Sequence, residues 1–400
     1  MLRPTKPPLS DALKQLVGRP VDAIDTPALV VDLDALQRNL SRMAEFVRKH
    51  EVRWRGHAKM HKSSAIARLQ VQAGAAGVCV QKTAEAEVMA AGGVTDIYVS
   101  NEVIAPAKLA RLAQLAHHLA GQGGLLSIAV DSREGITRLA DALNRVRQEQ
   151  GGSAIVDVYV EIDVGQGRCG VPPGRSAVEL VHEIRRHVAL RFAGLQAYHG
   201  KAQHLRTPAE RRDAITAAAQ DAAFTKKLIE ADGIPVPLVT GGGTGSMVCE
   251  AASGVYGELQ PGSFLFMDAD YAQNERDPAQ PQFEHALFVK SQVISSGLRH
   301  AVCDAGHKSH AIDSGLPRVH ALDEDGRPGL VYANGGDEHG ILRPADPSVP
   351  LPRIGDTVWL IPGHCDPTVN LHDHLVGVKG GLREGTVDKI IRVDARGALT

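Results

Sequence analysis

The sequence predicts an α/β protein, with a (β/α)8 TIM-type barrel followed by a second, mostly antiparallel β domain at the C-terminus. Two features of the 400-residue chain carry this prediction. From Thr26 to about residue 240, short β-branched segments alternate with Ala- and Leu-rich helical segments, and after roughly residue 275 short strand-like segments replace them. Apolar strands that alternate with helices are typical of a parallel sheet covered on both faces. Eight such units favour a closed barrel over an open sheet.

The predicted barrel begins with a strand at 28–33, which leads into a helix that Asp34 is expected to cap, with a Gln three residues further on. A leucine stripe predicts a helix over 105–120. Thr207-Pro208 predicts the start of another helix, with Glu210 completing a capping box. The remaining predicted barrel strands are 52–58, 77–81, 96–100, 125–131, 155–163, 191–198 and 236–240.

The C-terminal third of the chain has a different sequence pattern, in which Gly, Pro and Asp separate short apolar segments. We therefore place the barrel at 26–272 and a β domain at 273–400, joined by part of 1–25. The predicted strands of the β domain are 286–295, 300–304, 329–333, 357–361, 374–378 and 387–393.

Composition excludes several classes of function. The net charge is -2 and charged residues make up 22% of the chain, which gives no electrostatic reason to expect nucleic acid or an anionic membrane as a partner. No apolar run approaches the roughly 18–20 residues of a membrane span. The cysteines are odd in number and scattered, which is typical of a reducing compartment, so we expect a soluble cytoplasmic protein. They are Cys79, Cys169, Cys249, Cys303 and Cys365.

Lys59 is the first candidate for chemistry, because it follows a predicted strand at the barrel mouth, where a Schiff-base amine would lie. Most lysines are solvated surface charges, so the residue type alone is weak evidence. Nearby cations are expected to lower the pKa of this amine and favour its neutral, nucleophilic form. These cations are Arg55, His57, His61 and Lys62.

A glycine-rich run at 241–246 follows the strand that ends at Thr240. Consecutive glycines let backbone N–H groups converge on an anion, and the hydroxyls of Thr244 and Ser246 add donors. A phosphate site after the last barrel strands is a common arrangement. The alternative is a flexible turn, because glycine clusters mark turns in general. A Walker loop is excluded, since no Gly-Lys-Ser/Thr follows.

His364 and Asp366 form a candidate metal clamp. On an extended segment, residues i and i+2 point the same way, so both side chains can hold one ion while Cys365 faces away. Imidazole with carboxylate suits Mn²⁺, Mg²⁺ or Zn²⁺, and two protein ligands leave positions open for a substrate. The alternative is an ordinary polar turn. Further polar clusters at predicted strand ends are 165–168, 198–200 with His204, 268–271 and 337–339.

Together these segments resemble the D-threonine aldolase and 3-hydroxy-D-aspartate aldolase family, a branch of the alanine-racemase-like, fold-type III pyridoxal-phosphate enzymes. The resemblance runs through nearly the whole chain. One departure is Gly56 in the lysine motif, where many relatives carry proline. The most specific blocks are 57–62, 81–86, 164–171, 196–200, 241–246, 337–340 and 362–368.

The resemblance implies pyridoxal 5'-phosphate at the barrel mouth, linked as a Schiff base to Lys59. It also implies a divalent metal on His364 and Asp366, with Asp337 close by as a third catalytic residue, and His204 as the base. The cofactor ring would contact Gln81, Arg168 and Tyr198. The phosphate would contact Thr240, Gly242, Gly243, Thr244 and Gly245. A homodimer is also implied.

The implied activity is cleavage of the Cα–Cβ bond of a D-β-hydroxy amino acid, giving glycine and an aldehyde. D-threonine and 3-hydroxy-D-aspartate are candidate substrates, and the D configuration rests on the resemblance alone. The main alternative is a D-serine or 3-hydroxyaspartate dehydratase on the same scaffold, which would release a keto acid and ammonia. In that branch the resemblance implies a His-x-Cys clamp, so Asp366 favours the aldolase. Two further alternatives are a non-catalytic pyridoxal-phosphate carrier and a metal-dependent barrel hydrolase.

Overall fold

The computed structural model describes residues 9–320 and 329–400. The chain begins with a short helix, α1 (Asp11–Gln15), and continues into strand β1 (Ala28–Asp32) and helix α2 (Leu33–Lys49). Asp32 caps α2, because its carboxylate accepts the backbone N–H groups of Asp34 and Ala35 at 2.9 and 3.0 Å. The cap expected at Asp34 therefore lies two residues earlier, at the last residue of the strand.

A closed ring of parallel strands forms the barrel, which confirms the predicted (β/α)8 architecture. The ring closes through a broken strand, since Arg53–Trp54 pairs with the last barrel strand and Gly56–His57 pairs with the next strand along the chain. In chain order the strands are β2 (Arg53–Trp54), β3 (Gly56–His57), β4 (Val78–Val80), β5 (Asp96–Val99), β6 (Leu125–Val130), β7 (Val156–Glu161), β8 (Leu190–Gln196), β9 (Val239–Gly241) and β10 (Glu258–Leu259).

Helices cover the outside of the ring. The predicted capping box of the longest helix is confirmed: Thr207 Oγ1 accepts the Glu210 N–H at 3.2 Å, and Glu210 Oε2 accepts the Thr207 N–H at 3.0 Å. Within the described residues, no helix is long and apolar enough to cross a membrane. The helices are α3 (Ser64–Gln72), α4 (Thr83–Ala91), α5 (Pro106–Ala120), α6 (Arg133–Gln150), α7 (Arg175–Ile184), α8 (Pro208–Ala231) and α9 (Met247–Ala252).

The C-terminal part of the chain is mostly antiparallel sheet, as predicted. Two of its strands, at 318–319 and 340–344, were not predicted, because the first is very short and the second contains no continuous apolar run. The elements are β11 (Leu287–Ser296), β12 (Ala301–Cys303), β13 (Arg318–Val319), β14 (Leu330–Asn334), β15 (Gly340–Pro344), β16 (Thr357–Ile361), α10 (Cys365–Leu371), β17 (His374–Lys379), α11 (Gly381–Glu384) and β18 (Thr386–Arg392).

Strand β1 belongs to this second sheet, so the prediction that 28–33 supplies the first barrel strand is wrong. It pairs antiparallel with β11 and parallel with β17. The two-residue strand β10 takes the eighth place in the ring, where it pairs with both β9 and β2. The apolar run of β1 fits either sheet equally well, so its pattern does not show which sheet it joins. Strand β10 was not predicted because it has only two residues and one of them is the buried Glu258.

One hydrophobic cluster joins the two sheets and fixes their relative position. It contains Trp54 and Leu259 from the barrel, Leu29 and Leu36 from β1 and α2, and Leu360 from β16. Each of these side chains is at least 98% buried. Burial of one such side chain contributes about 1.5–3 kcal/mol. Because β16 leads directly to α10, this packing places the start of α10 over the carboxyl ends of the barrel strands.

Candidate active site at the barrel mouth

A cavity of about 150 Å³ lies at the carboxyl ends of the barrel strands, beneath the start of α10. It brings together most of the residues that sequence reasoning selected, although they come from segments far apart in the chain. Of the predicted residues, the cavity is lined by Lys59, Gln81, Arg168, Tyr198, His204, Gly243, Thr244, His364 and Asp366. Thr240, Gly242, Gly245 and Asp337 lie outside its lining.

Lys59 lies in the turn after β3, and its Nζ is 3.5 Å from Asp366 Oδ2. Burial lowers the pKa of this amine, but the carboxylate of Asp366 and the nearby Tyr198 outweigh it, so the pKa is raised above its usual value. The expectation that neighbouring cations lower the pKa of Lys59 is wrong. Arg55 turns away into ion pairs with Asp96 and Glu258 at 2.6 and 3.3 Å.

His57 forms the floor of the cavity and was missed as a site residue. Its Nε2 lies 3.1 Å from Gln81 Nε2 and 3.4 Å from Ser100 Oγ. Burial, reinforced by Lys59 and other cations, holds the pKa of His57 well below its usual value, so the ring is neutral. An available signal was its place at the carboxyl end of a barrel strand, since it is the last residue of β3.

Arg168 and Tyr198 form one wall. The Arg168 guanidinium carbon lies 5.8 Å from the centroid of the Tyr198 ring, a cation–π distance. Burial raises the pKa of the Tyr198 phenol, so its hydroxyl keeps its proton and remains a hydrogen-bond donor. Together they supply a flat aromatic surface beside a fixed positive charge, which suits a planar anionic ligand.

The glycine-rich run supplies backbone donors from only part of its length. Gly243 and Thr244 line the cavity, and neither backbone N–H has a hydrogen-bond acceptor within the described chain. Such amides suit a phosphate. By contrast, Thr240 faces the barrel interior, where its Oγ1 donates to Glu258 Oε1 at 2.9 Å. The Ser246 hydroxyl, expected to face the anion, donates instead to Glu250 Oε1 at 2.7 Å.

Two glycines outside the lining shape this loop. Gly242 has φ +75°, a left-handed conformation that favours glycine. A Cβ at Gly245 would overlap the backbone carbonyl oxygen of Gln203, whose side-chain Oε1 accepts the Gly245 N–H at 3.0 Å. Their part in the site is therefore to allow the turn and the close approach of the Gln203 backbone.

His364 and Asp366 meet at the start of a helix rather than on a strand. His364 is the N-cap of α10 and Asp366 lies in its first turn, so the expected extended geometry is wrong. The two side chains nevertheless converge, with His364 Nε2 3.8 Å from Asp366 Oδ1. Asp366 Oδ1 is buried and has no hydrogen-bond partner among the described residues, which fits a cation ligand. Cys365 faces away, toward the Met267 carbonyl oxygen at 3.3 Å.

Asp313 orients the His364 ring, a contact that sequence reasoning missed. Asp313 Oδ2 lies 2.7 Å from His364 Nδ1. A carboxylate at Nδ1 fixes the proton on that nitrogen and leaves Nε2 free to bind a metal. No local pattern links a residue 51 positions upstream to His364.

His204 stands at the edge of the cavity, with Asp270 behind it. Its Nδ1 lies 2.7 Å from Asp270 Oδ2, and Asp270 Oδ1 also accepts from Arg206 Nη2 at 2.5 Å. The His204 side chain is 49% exposed. Asp270 was noted only as part of a polar cluster, yet it gives His204 the partner that a general base requires.

Asp337 does not join these residues within the described chain. It lies in the exposed loop between β14 and β15, where its Oδ1 is 2.8 Å from His307 Nε2 and its Oδ2 is 3.5 Å from Lys308 Nζ. Its side chain is 60% exposed. The geometry of this chain therefore assigns Asp337 to a surface ion pair and not to the cavity.

Asp268 links α10 to the barrel and, like Asp270, was noted only as part of the polar cluster at 268–271. Its Oδ2 accepts the Cys365 N–H and its Oδ1 accepts the Tyr271 N–H, both at 3.0 Å. Burial raises the pKa of the Asp268 carboxyl to about 6. Tyr271 itself lines the cavity. Asp268 therefore fixes the position of the start of α10 relative to Tyr271, on the other side of the cavity.

Comparisons with known proteins agree with this architecture. A model of the alanine racemase N-terminal domain matches residues 31–270, and a serine dehydratase domain matches 286–378. The chain is 43% identical to a D-threonine aldolase from Arthrobacter sp., over 95% of both chains. It is 41% identical to a 3-hydroxy-D-aspartate aldolase from Paracoccus denitrificans (strain Pd 1222), over 96% of this chain and 95% of the relative.

A more distant relative and a solved structure complete the comparison. Identity is 31% to a D-threo-3-hydroxyaspartate dehydratase from Delftia sp. (strain HT23), over 86% of this chain and 92% of that protein. The crystal structure of a D-threonine aldolase from Filomicrobium marinum superposes with a TM-score of 0.89 at 44% identity, covering 96% of this chain and 99% of the other.

Proposed function

The chain belongs to the D-threonine aldolase and 3-hydroxy-D-aspartate aldolase family of alanine-racemase-like proteins, and from this premise we propose its reaction. It is a carbon–carbon lyase that cleaves D-β-hydroxy amino acids, of the D-threonine or 3-hydroxy-D-aspartate type, into glycine and an aldehyde. The proposal includes two cofactors, pyridoxal 5'-phosphate and a divalent metal.

The observation that carries the proposal is the meeting of three functions in one cavity. An amine, Lys59 Nζ, lies 3.5 Å from Asp366 Oδ2, and Asp366 Oδ1 is a buried, unpartnered acceptor 3.8 Å from His364 Nε2. The unpartnered backbone amides of Gly243 and Thr244 face the same cavity. An aldehyde cofactor with a phosphate group and a cation thus fit the residues present.

Each cofactor has its own set of residues. Lys59 would hold pyridoxal phosphate covalently, with the ring beside Tyr198 and Arg168 and the phosphate at the Gly243 and Thr244 amides. When bound, this cofactor supplies an electron sink for the carbon that loses its bond.

His364 and Asp366 would hold the metal, which supplies a Lewis acid for the β-hydroxyl oxygen of the substrate. Their imidazole and carboxylate suit Mn²⁺ or Mg²⁺, with Zn²⁺ as a further candidate. Asp313 supports the proposal because it accepts the His364 Nδ1 proton at 2.7 Å and so directs Nε2 toward the ion.

His204 is the proposed general base. Asp270, 2.7 Å from Nδ1, keeps the proton on that nitrogen and leaves Nε2 to accept the proton of the substrate hydroxyl. As that proton leaves, the oxygen forms the carbonyl of the aldehyde and the Cα–Cβ bond breaks. The buried His57 ring is neutral and the Tyr198 hydroxyl keeps its proton, which leaves Arg168 as the charged member of the wall that it forms with Tyr198.

The second candidate is a dehydratase, which would remove the hydroxyl and release a keto acid and ammonia. Residues 286–378 match a serine dehydratase domain, so the scaffold allows this reaction. Two observations favour the aldolase. The clamp carries the carboxylate of Asp366, and the dehydratase relative is 31% identical against 43% for the aldolase.

A product assay separates the two reactions. The holoenzyme with Mn²⁺ is given D-threonine, D-threo-3-hydroxyaspartate or D-phenylserine, with the L-enantiomers as controls. We expect glycine and the matching aldehyde in equal amounts from the D-enantiomers. Keto acid and ammonia without glycine would refute the aldolase and support the dehydratase.

We also propose that the protein is a cytoplasmic homodimer. The family resemblance supports the dimer, and the odd, unpaired set of cysteines supports a reducing compartment. Light scattering coupled to size-exclusion chromatography tests the dimer: twice the 42.6 kDa chain mass is expected, and a monomer mass at micromolar concentration would refute it.

A further inference from the structure

A second cluster of metal-ligating side chains lies beside the cavity and takes no part in the proposed reaction. Glu102, Asp131 and Cys169 each offer one ligand atom, and these atoms lie within 4.8 Å of one another. The three residues follow β5, β6 and β7, which are neighbours in the barrel. Carboxyl ends of adjacent parallel strands meet at one rim, so the cluster is a product of the fold rather than of a local motif.

A fourth carboxylate, Glu161, gives independent evidence that a ligand belongs here. It is the last residue of β7, is 3% exposed, and its Oε2 has no hydrogen-bond partner among the described residues. Its carboxyl interacts directly with that of Glu102, whose two oxygens are buried and have only the Glu161 carboxyl and the Cys169 thiol as nearby donors within the described chain. Buried acceptors facing each other without a donor between them are costly unless a proton or a cation lies there.

The charges around the cluster do not balance within the protein. Burial and the neighbouring Glu102 raise the pKa of Glu161 to about 9, so Glu161 holds a proton without a metal, whereas Glu102 and Asp131 are carboxylates. Arg168 lies 3.8 Å from Glu161 Oε1. Asp131 Oδ2 accepts one backbone N–H, from Gly170 at 3.2 Å. A divalent cation would satisfy the remaining oxygens and offset two of the negative charges.

We propose that Glu102, Asp131, Cys169 and Glu161 form a second divalent-cation site, selective for Zn²⁺. A thiolate with carboxylates suits zinc better than Mn²⁺ or Mg²⁺, which prefer oxygen ligands. Ligand atoms at the usual Zn–O and Zn–S lengths of roughly 2.0–2.3 Å lie roughly 3.3–3.8 Å apart around a tetrahedral ion. The ligand atoms of Glu102, Asp131 and Cys169 lie within 4.8 Å of one another, so binding requires them to draw together by at most roughly 1–1.5 Å. On binding, the Cys169 thiol and the Glu161 carboxyl each release a proton to solvent, and a Zn–S and a Zn–O bond form.

The test separates this site from the clamp at His364 and Asp366. Holoenzyme, the Asp366→Ala variant and the Asp366→Ala/Cys169→Ser double variant are dialysed against a chelator, reloaded with Zn²⁺ and freed of excess metal. Bound zinc is then counted by atomic emission. We expect two zinc ions per chain in the holoenzyme, one in Asp366→Ala and none in the double variant. Cys249→Ser in the Asp366→Ala background is the matched control, because Cys249 is a free cysteine at the start of a different helix, and it should keep one zinc ion.

X-ray absorption at the zinc edge identifies the ligands. Zinc in the Asp366→Ala variant should show one sulfur neighbour at about 2.3 Å with oxygen neighbours. Glu102→Gln should weaken zinc binding at least about tenfold while circular dichroism and the pyridoxal absorbance stay those of the Asp366→Ala parent. The proposal is overturned if Asp366→Ala binds no zinc, or if its zinc has no sulfur neighbour. Neither result bears on the aldolase reaction.

Discussion

Asp366 stands between two roles, because one of its oxygens faces Lys59 Nζ at 3.5 Å and the other faces His364 Nε2 at 3.8 Å. This arrangement places the amine that would hold the pyridoxal cofactor beside the proposed metal ligands. A change at Asp366 should therefore affect turnover through the metal, while the covalent link to Lys59 persists.

We expect Lys59→Ala to abolish the visible absorbance of the imine-bound cofactor, and Asp366→Ala to keep that absorbance and lose turnover. The physical reason is that in the proposed reaction Lys59 supplies the amine that holds the cofactor, whereas Asp366 supplies an oxygen ligand to the metal. Absorbance spectra and glycine release measure the two effects. Full activity of Asp366→Ala after chelation and dialysis would show that the metal role is wrong.

Asp313→Asn should weaken binding of the active-site metal about 10–100-fold, because Asp313 orients the His364 ring from behind. Manganese titration of the dialysed protein, followed by recovery of glycine release, measures the affinity. Asp141→Asn, an exposed carboxylate on α6, is the control and should leave the affinity at the wild-type value. If wild type, Asp313→Asn and Asp141→Asn bound Mn²⁺ with equal affinity, Asp313 would not orient His364 for metal binding.

His204→Ala should lower kcat about 10²–10⁴-fold, the usual contribution of a general base. Asp270→Asn should lower kcat with little change in KM, because Asp270 contacts His204 and does not itself line the cavity. The double variant should be little worse than His204→Ala alone, since the two residues act as a unit. If the two single losses in kcat multiplied in the double variant, His204 and Asp270 would not act as a unit. The same conclusion would follow if Asp270→Asn kept the pH profile of the wild-type kcat.

At the scale of elements, the phosphate loop depends on a close approach between two backbones. Gly245→Ala would place a Cβ on the Gln203 carbonyl oxygen, in the 3₁₀ turn that carries His204. We expect a loss of about 1–3 kcal/mol in stability and weaker retention of the cofactor. Urea unfolding and the absorbance after dialysis measure these losses.

Gly121→Ala is the matched control for that substitution, since a Cβ there meets its nearest atom at an ordinary 3.5 Å. It lies at the end of α5 and should leave both measurements within error of wild type. If Gly245→Ala behaved like Gly121→Ala, the loop would have more freedom than its contacts indicate.

The start of helix α10 was the least predictable part of the site. The pattern of Thr357–Ile361 correctly predicts a strand, but it does not reveal that a helix begins directly after His364. The side chains of His364 and Asp366 converge across that helix start, not along a strand. The helix begins there partly because Asp268, from the barrel side, accepts the Cys365 N–H, and such a partner is invisible in the local sequence.

At the scale of the whole molecule, a buried acid behind the phosphate loop makes folding pH-dependent. Burial raises the pKa of Glu250 from 4.5 to about 7, and its Oε2 has no hydrogen-bond partner in the part of the chain that the structure describes. The unfolded chain releases this proton near pH 4.5, whereas the folded chain keeps it until about pH 7. The folded state thus binds more protons in this window, and stability falls as the pH rises through it.

Glu250→Gln should remove this contribution. Relative to the variant, wild type should lose about 3 kcal/mol of stability between pH 4.5 and pH 7, and the difference should then stay constant. Urea unfolding at pH 5, 6, 7 and 8 measures it. Glu149→Gln, at the exposed end of α6, is the control. A wild type and variant that differ equally at every pH would refute the buried, protonated carboxyl.

By itself the sequence predicted the fold class and supplied the candidate side chains for chemistry, because strand–helix alternation, a glycine run and metal-ligating residue types are local properties. Only the tertiary structure decided which strands close the barrel, why Asp313 and Asp270 matter, and that Asp337 lies apart. These outcomes depend on burial and pairing between distant segments. The same apolar strand at Ala28–Asp32 fits either sheet, and the packing of Leu29 and Leu36 with β16 selects one.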